Sequence, residues 1–161
     1  MELADFLNPD GVIPGLRPSD KTQLLRELAR RAGPAVGLEA QIILDALLAR
    51  EGLGTTGVGH GIAVPHARID GVGRLLGLFA RLEKPIDFAA IDEQPVDLVF
   101  LLLIPSGAGS EHLAALAAVS RRLRDKDTLR QLRAQKDPGR LFKSLVGGGP
   151  ATAKSPDRNE T

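Results

Sequence analysis

The spacing of apolar residues divides the chain into a helical opening, an extended middle and a helical close. Residues 1–18 carry Asn8-Pro9-Asp10-Gly11 and two further prolines, a turn-rich start with a short strand at Val12-Ile13. A helix is predicted from Ser19, its N-cap, with Leu24, Leu25, Leu28 and Ala32 on one face and Gly33-Pro34 as its stop. A second helix, Leu38 to Glu51, shows a wide stripe of Ile42, Ile43, Ala46, Leu47 and Ala49. Five glycines then fall between Gly52 and Gly61, and Ile62-Ala63-Val64 leads in extended form into Pro65-His66. Leu75 to Leu82, interrupted by Gly77, reads as a strand. Val96 to Ile104 has no polar position after Asp97, the pattern of a central strand covered on both faces. Ser110 is placed as the N-cap of a helix with Leu113, Leu116, Ala117, Val119 and Leu123 on its apolar side. A short helix follows at Thr128–Ala134. A last one opens with Asp137-Pro138 and buries Leu141, Phe142 and Leu145. Beyond Val146, small and polar residues through Thr161 read as a disordered tail. The elements together predict an α/β fold, a mixed β-sheet sandwiched between helices.

Composition narrows the chemistry. The chain has 161 residues, the size of one ordinary domain, and no cysteine, which excludes disulfides, thiolate metal sites and a cysteine nucleophile. Tyrosine and tryptophan are also absent, and Lys and Arg exceed Asp and Glu by only 21 to 20, so neither base stacking nor polyanion binding is signalled. No nucleic-acid partner is expected. The N-terminus lacks a signal-peptide pattern, and the apolar run from Leu98 to Ile104 is too short to span a bilayer. The expectation is a cytoplasmic protein with no direct membrane insertion. The basic stretch from Arg121 to Lys143 reads as a solvated amphipathic face.

The three histidines, His60, His66 and His112, are where acid–base or nucleophilic chemistry near neutral pH would sit. His66 follows glycines and a rigid proline. Its neutral ring would be a competent nitrogen nucleophile, with backbone N–H groups free to approach an anion, although a surface-loop histidine without a role fits the same position. Arg50 reads either as compensation of a helix C-terminal dipole or as a guanidinium reaching a phosphoryl group in the glycine loop. His112 lies in a first helical turn, where the helix dipole lowers imidazole basicity, and a solvated helix-start residue is the plainer reading. No histidine spacing matches a metal-ligand motif, and the glycines match neither a nucleotide P-loop nor a dinucleotide fingerprint.

Three separated blocks resemble a known family. The run Leu48-Ala49-Arg50-Glu51-Gly52-Leu53-Gly54-Thr55-Thr56-Gly57-Val58-Gly59-His60-Gly61-Ile62-Ala63-Val64-Pro65-His66-Ala67-Arg68 is similar to the active-site block of type 2 enzyme IIA domains. These are the fructose/mannitol and nitrogen-regulatory IIA proteins of the bacterial phosphotransferase system. Ala90 to Pro105 resembles the family's central strand, and Glu111-His112-Leu113 its second-histidine helix start. The likeness spans residues 1–146, with the tail at 147–161 outside it, and is strongest to the nitrogen-regulatory members. It implies that His66 is phosphorylated on Nε2, that His112 and Arg50 complete the site, and that no cofactor or metal takes part. The implied donor is an HPr-like phosphocarrier protein. Transfer without a metal needs protein donors around the phosphoryl group and exclusion of water, a role assigned here to Ile62 and Val64. His66 must carry its proton on Nδ1, held by a carbonyl. Two departures stand out: His60 where nitrogen-regulatory members commonly have Asn, and Ala67-Arg68 where Gly-Lys is frequent.

Two functions follow from the resemblance. In one, the phosphorylation state of a regulatory protein controls its binding to targets such as ion transporters or sensor kinases. In the other, the chain serves sugar uptake and passes phosphate to a cysteine of a IIB domain. Lacking cysteine, it cannot itself perform the IIB step.

Overall fold

The computed structural model describes residues 1–147. Within them, β1 (Leu7–Leu16), β2 (Gly57–Gly59), β3 (Ile62–Ala63), β4 (His66–Ile69), β5 (Leu76–Ile86) and β6 (Val96–Pro105) form one mixed sheet. The helices are α1 (Lys21–Val36), α2 (Ala40–Glu51), α3 (Glu111–Arg124), α4 (Lys126–Ala134) and α5 (Pro138–Val146). Strand order is β1-β5-β6-β3-β2, with β4 continuing the β3 line along the second half of β6. The sheet is sandwiched between helices, as the apolar pattern predicts.

β6 is the spine because every side chain from Leu98 to Ile104 is fully buried. Val99, Leu101 and Leu103 point into a core shared with α1 and α2. Leu98, Phe100, Leu102 and Ile104 point into a second core with α3, α4 and α5. A continuous apolar run is what a strand buried on both faces requires. Gly77 lets the Phe100 and Phe6 rings close over β5, since a Cβ there would stand 2.9 Å from the Phe100 ring.

Several elements differ from the sequence expectation. The opening holds a ten-residue strand, β1, where only Val12-Ile13 is expected to be extended. Pro9 and Pro14 are tolerated because β1 is an edge strand, parallel to β5, with irregular register on both sides of Val12-Ile13. Helix α1 starts one residue later than expected, because Asp20 is the N-cap and accepts from the Gln23 N–H at 2.8 Å. It also runs through Gly33-Pro34 and stops at Gly37, whose φ of 72° makes it a left-handed C-cap. Proline in the last turn removes only one bond, and the cap ends the helix three residues later.

The apolar faces of two helices are rotated from those expected. α2 is apolar almost all round, which blurs its stripe: Ile43, Leu44 and Leu47 are buried, while Ile42 and Ala49 are exposed. In α3 the buried set is Ala115, Ala118, Val119 and Leu123, with Leu113 turned outward. Ser110 makes no side-chain cap bond, so the helix start is held by backbone contacts such as His112 N–H to the Gly109 carbonyl. α4 begins two residues before the expected Thr128, capped by Asp125. The Asp137-Pro138 start of α5 is found as predicted, with Asp137 accepting from the Arg140 N–H. The expected disordered tail, apart from Gly147, lies outside the described residues.

Candidate functional site

β4 begins at His66 and runs parallel to β6, with His66 opposite Leu102 and Arg68 opposite Ile104. Side chains alternate along a strand. Ala67 and Ile69 are therefore buried in the α1/α2 core, while His66 and Arg68 face the other side, toward the start of α3. Pro65 fixes the approach. The His66 Nδ1 lies 2.8 Å from the Val64 carbonyl oxygen. A carbonyl only accepts, so Nδ1 carries the proton and Nε2 keeps its lone pair. Burial pushes the His66 pKa below the ordinary 6.5; the Val64 bond opposes this, the Arg50 charge lowers it further, and Glu51 pulls the other way. The ring is thus held neutral, half-buried, with a free nitrogen.

Arg50 sits in the last turn of α2, and its Nη1 donates to the Gly54 carbonyl at 2.8 Å. This bond folds the guanidinium back over the glycine loop, where its charge acts on His66. The next residue anchors that loop. The Glu51 carboxylate accepts from the Thr56 N–H at 3.0 Å and from the Thr56 hydroxyl, and pairs with Lys21 Nζ at 2.9 Å. Lys21 in turn lies 4.3 Å from the centre of the Phe88 ring. The sequence reading missed Lys21 and this role of Glu51. An acidic residue ending a helix before a glycine loop was a signal, but its partners come from distant parts of the chain.

His112, second residue of α3, brings its ring to 6.0 Å from that of His66, centre to centre, at 62°. Arg68 Nε donates to His112 Nδ1 at 2.8 Å. Burial lowers the His112 pKa first, and the Arg68 charge and then His66 lower it further. The structure therefore gathers His66, His112 and Arg50 in one place and adds Arg68.

His60 does not join them. It adopts φ 59°, its N–H donates to Asp92 at 3.0 Å, and its carbonyl accepts from Arg133 at 2.6 Å. Asn and His are both enriched in this left-handed region, which gives a backbone reason for the exchange at this position. The basic stretch is solvated as expected, and Arg133, exposed within it, also grips Asp97 through two bonds of 3.0 and 2.9 Å. It packs against Gly61, whose φ of 79° and close neighbours leave no room for a side chain. Ile62 and Val64, assigned to shield the histidine, are instead buried in the second core. Exposed apolar neighbours of the site in sequence include Leu48, Leu53, Val58 and Leu113, of which Leu53 at 86% and Leu113 at 71% are the most exposed. Among the described residues there is no cluster of three or more His, Asp or Glu placed to hold a metal. No helix among them is long and apolar enough to cross a membrane.

Sheet order, helical layers and two neighbouring histidines with an arginine beside them define a three-layer α/β protein with a paired-histidine surface site. The chain belongs to the family "Phosphoenolpyruvate-dependent sugar phosphotransferase system, EIIA 2", whose model matches residues 5–146. It is 46% identical over 153 residues to a nitrogen regulatory protein of Bradyrhizobium diazoefficiens, covering 95% of this chain and 99% of that one. It is 44% identical over 110 residues to a fructose-specific EIIA component of Haloferax volcanii, covering 68% and 70%. The crystal structure of the nitrogen regulatory protein IIA-Ntr from Neisseria meningitidis superposes with a TM-score of 0.85 at 30% identity, covering 89% of this chain and 99% of that chain. The chain is therefore a type 2 EIIA protein of the nitrogen-regulatory kind.

Proposed function

We propose that the domain at 1–146 accepts a phosphoryl group on His66 Nε2 from the phosphohistidine of an HPr-like phosphocarrier, and that its phosphorylation state controls binding to a regulatory target. The observation carrying this reading is the 2.8 Å contact between His66 Nδ1 and the Val64 carbonyl, which leaves Nε2 as the free nucleophile beside Arg50 and His112. In the transfer, the P–N bond to the carrier's imidazole breaks and its electron pair stays with the carrier. A P–N bond forms to the His66 Nε2 lone pair. No proton has to leave His66, and the Val64 carbonyl stabilises the positive charge that develops on the ring through Nδ1–H. Positioning and charge stabilisation do most of the work in phosphoryl transfer. Arg50 and His112 supply the donors to the equatorial oxygens, and a docking partner covering the exposed Leu53 and Leu113, neighbours of these residues in sequence, would keep water out.

A regulatory role is supported by the 46% identity to a nitrogen regulatory protein. Phosphorylation adds roughly −1.5 to −2 charges at pH 7, enough to reverse docking at an exposed face. Targets of the ion-transporter or sensor-kinase type, and a cytoplasmic location with access to the carrier, belong to this reading. The likeness to a fructose-specific EIIA component favours a second one, in which phosphate passes to a IIB cysteine. Incubation with phosphoenolpyruvate, enzyme I and the carrier is expected to give one acid-labile, base-stable phosphate on His66 and none on His66→Ala. Labelling of His66→Ala to the wild-type level refutes the assignment. Rapid onward transfer to sugar-specific IIB domains supports uptake, and its absence supports regulation.

A further inference from the structure

The two paired histidines face partners of opposite kind. Nδ1 of His66 meets a carbonyl, which can only accept; Nδ1 of His112 meets the Arg68 guanidinium, which can only donate. The second contact excludes both the imidazolium and the Nδ1–H tautomer of His112, because each would set N–H against N–H. We infer that Arg68 is a positioning residue for phosphoryl acceptance: it holds Nδ1 of His112 as an acceptor, so that the ring's single proton sits on Nε2 as a donor for the phosphoryl oxygens on His66. This rests on the phosphoryl-acceptor reading above.

Three observations carry the inference. Arg68 lies two residues beyond His66 on a strand, so both side chains leave the same face. The parallel register sets Arg68 opposite Ile104, at the end of β6 from which the chain crosses to α3 and His112. The His112 and His66 rings stand 6.0 Å apart, so a group bonded to His66 lies beside the His112 ring. One short strand and one helix start thereby produce a nucleophile and a donor from two identical side chains. The charge on Arg68 also opposes a second proton on His112, in the same direction as burial.

A positioning Arg68 and an Arg68 that serves only as a docking charge behave differently. Long-range ¹H–¹⁵N NMR of the unphosphorylated full chain reads each ring's tautomer without any transfer reaction. The wild type is expected to show His66 protonated on Nδ1 and His112 on Nε2. Arg68→Ala is expected to turn His112 into a mixture of tautomers and leave His66 unchanged. In phosphorylation by the carrier, Arg68→Ala should slow the rate at saturating carrier by about tenfold, the lower end for loss of an orienting outer partner. Arg68→Lys, which still only donates, should restore both tautomer and rate. Arg68→Ala combined with His112→Ala should be hardly slower than His112→Ala alone. An Nδ1–H proton on wild-type His112, an unchanged His112 tautomer in Arg68→Ala, or a defect confined to KM for the carrier would each overturn the inference. If the wild type is not labelled on His66 at all, the acceptor reading fails, while the tautomer result still reports on the Arg68 contact.

Discussion

In the proposed transfer, His66 owes its free Nε2 lone pair to what surrounds it rather than to its residue type. Its folded pKa lies below the ordinary 6.5 chiefly through burial, with the Arg50 charge acting the same way. Two outcomes follow. Phosphoryl acceptance should hold constant above about pH 6.5 and fall as pH drops through the lower, folded value, because protonation removes the Nε2 lone pair. A rate profile at saturating carrier checks this. The unfolded chain binds the proton first, so His66 contributes stability that is present above the unfolded value and is lost as pH falls through the folded one. Arg50→Ala removes the repulsion and should raise the His66 pKa in an NMR titration while slowing acceptance. A downward shift would show that Arg50 is not charge-coupled to the ring. The choice between catalytic and ordinary roles for these residues was not legible from their sequence positions. Arg50 lies in a helix's last turn and bonds the Gly54 carbonyl of its own loop, and only the fold puts its charge on His66.

At the level of elements, the short strands and loops that carry the site are stabilised from outside themselves. The glycine loop after α2 depends on the Glu51 carboxylate, whose side chain is only 5% exposed and answers Thr56 and Lys21 together. Glu51→Ala leaves the Thr56 N–H and hydroxyl without their acceptor and is expected to cost about 2–3 kcal/mol, read as a lower urea midpoint at unchanged slope. Helix caps act more modestly. Asp137→Ala should cost about 1 kcal/mol, since Asp137 accepts one first-turn N–H of α5. That cap was legible because Asp-Pro at a helix start has a local cause. β1 and the rotated faces of α2 and α3 were not. The prolines of β1 argue against a strand until its place at the sheet edge is known, and helices with apolar residues on every side do not say which face turns inward.

Across the whole molecule, the sheet is what joins the two cores, and β6 holds the sheet. Phe100 projects from β6 into the second core, with the Phe6 and Phe79 rings at 6.2 and 6.5 Å. Phe100→Ala should cost about 3–5 kcal/mol, read as a lower urea midpoint. The amino-acid sequence by itself determined the buried spine Val96–Ile104, the helices on either side of the glycine run, the Asp137-Pro138 cap and the three candidates His66, His112 and Arg50. These rest on local causes: periodicity, capping chemistry, and a run of residues similar to a known family. Only the tertiary structure decided which partners meet. It set the Val64 carbonyl against one imidazole and Arg68 against the other, bonded the exposed Arg133 to Asp97 and the His60 carbonyl, and buried Ile62 and Val64 in the second core. Those contacts join residues up to 73 positions apart. Spacing along a chain carries no information about them until strands have chosen their register and helices their faces.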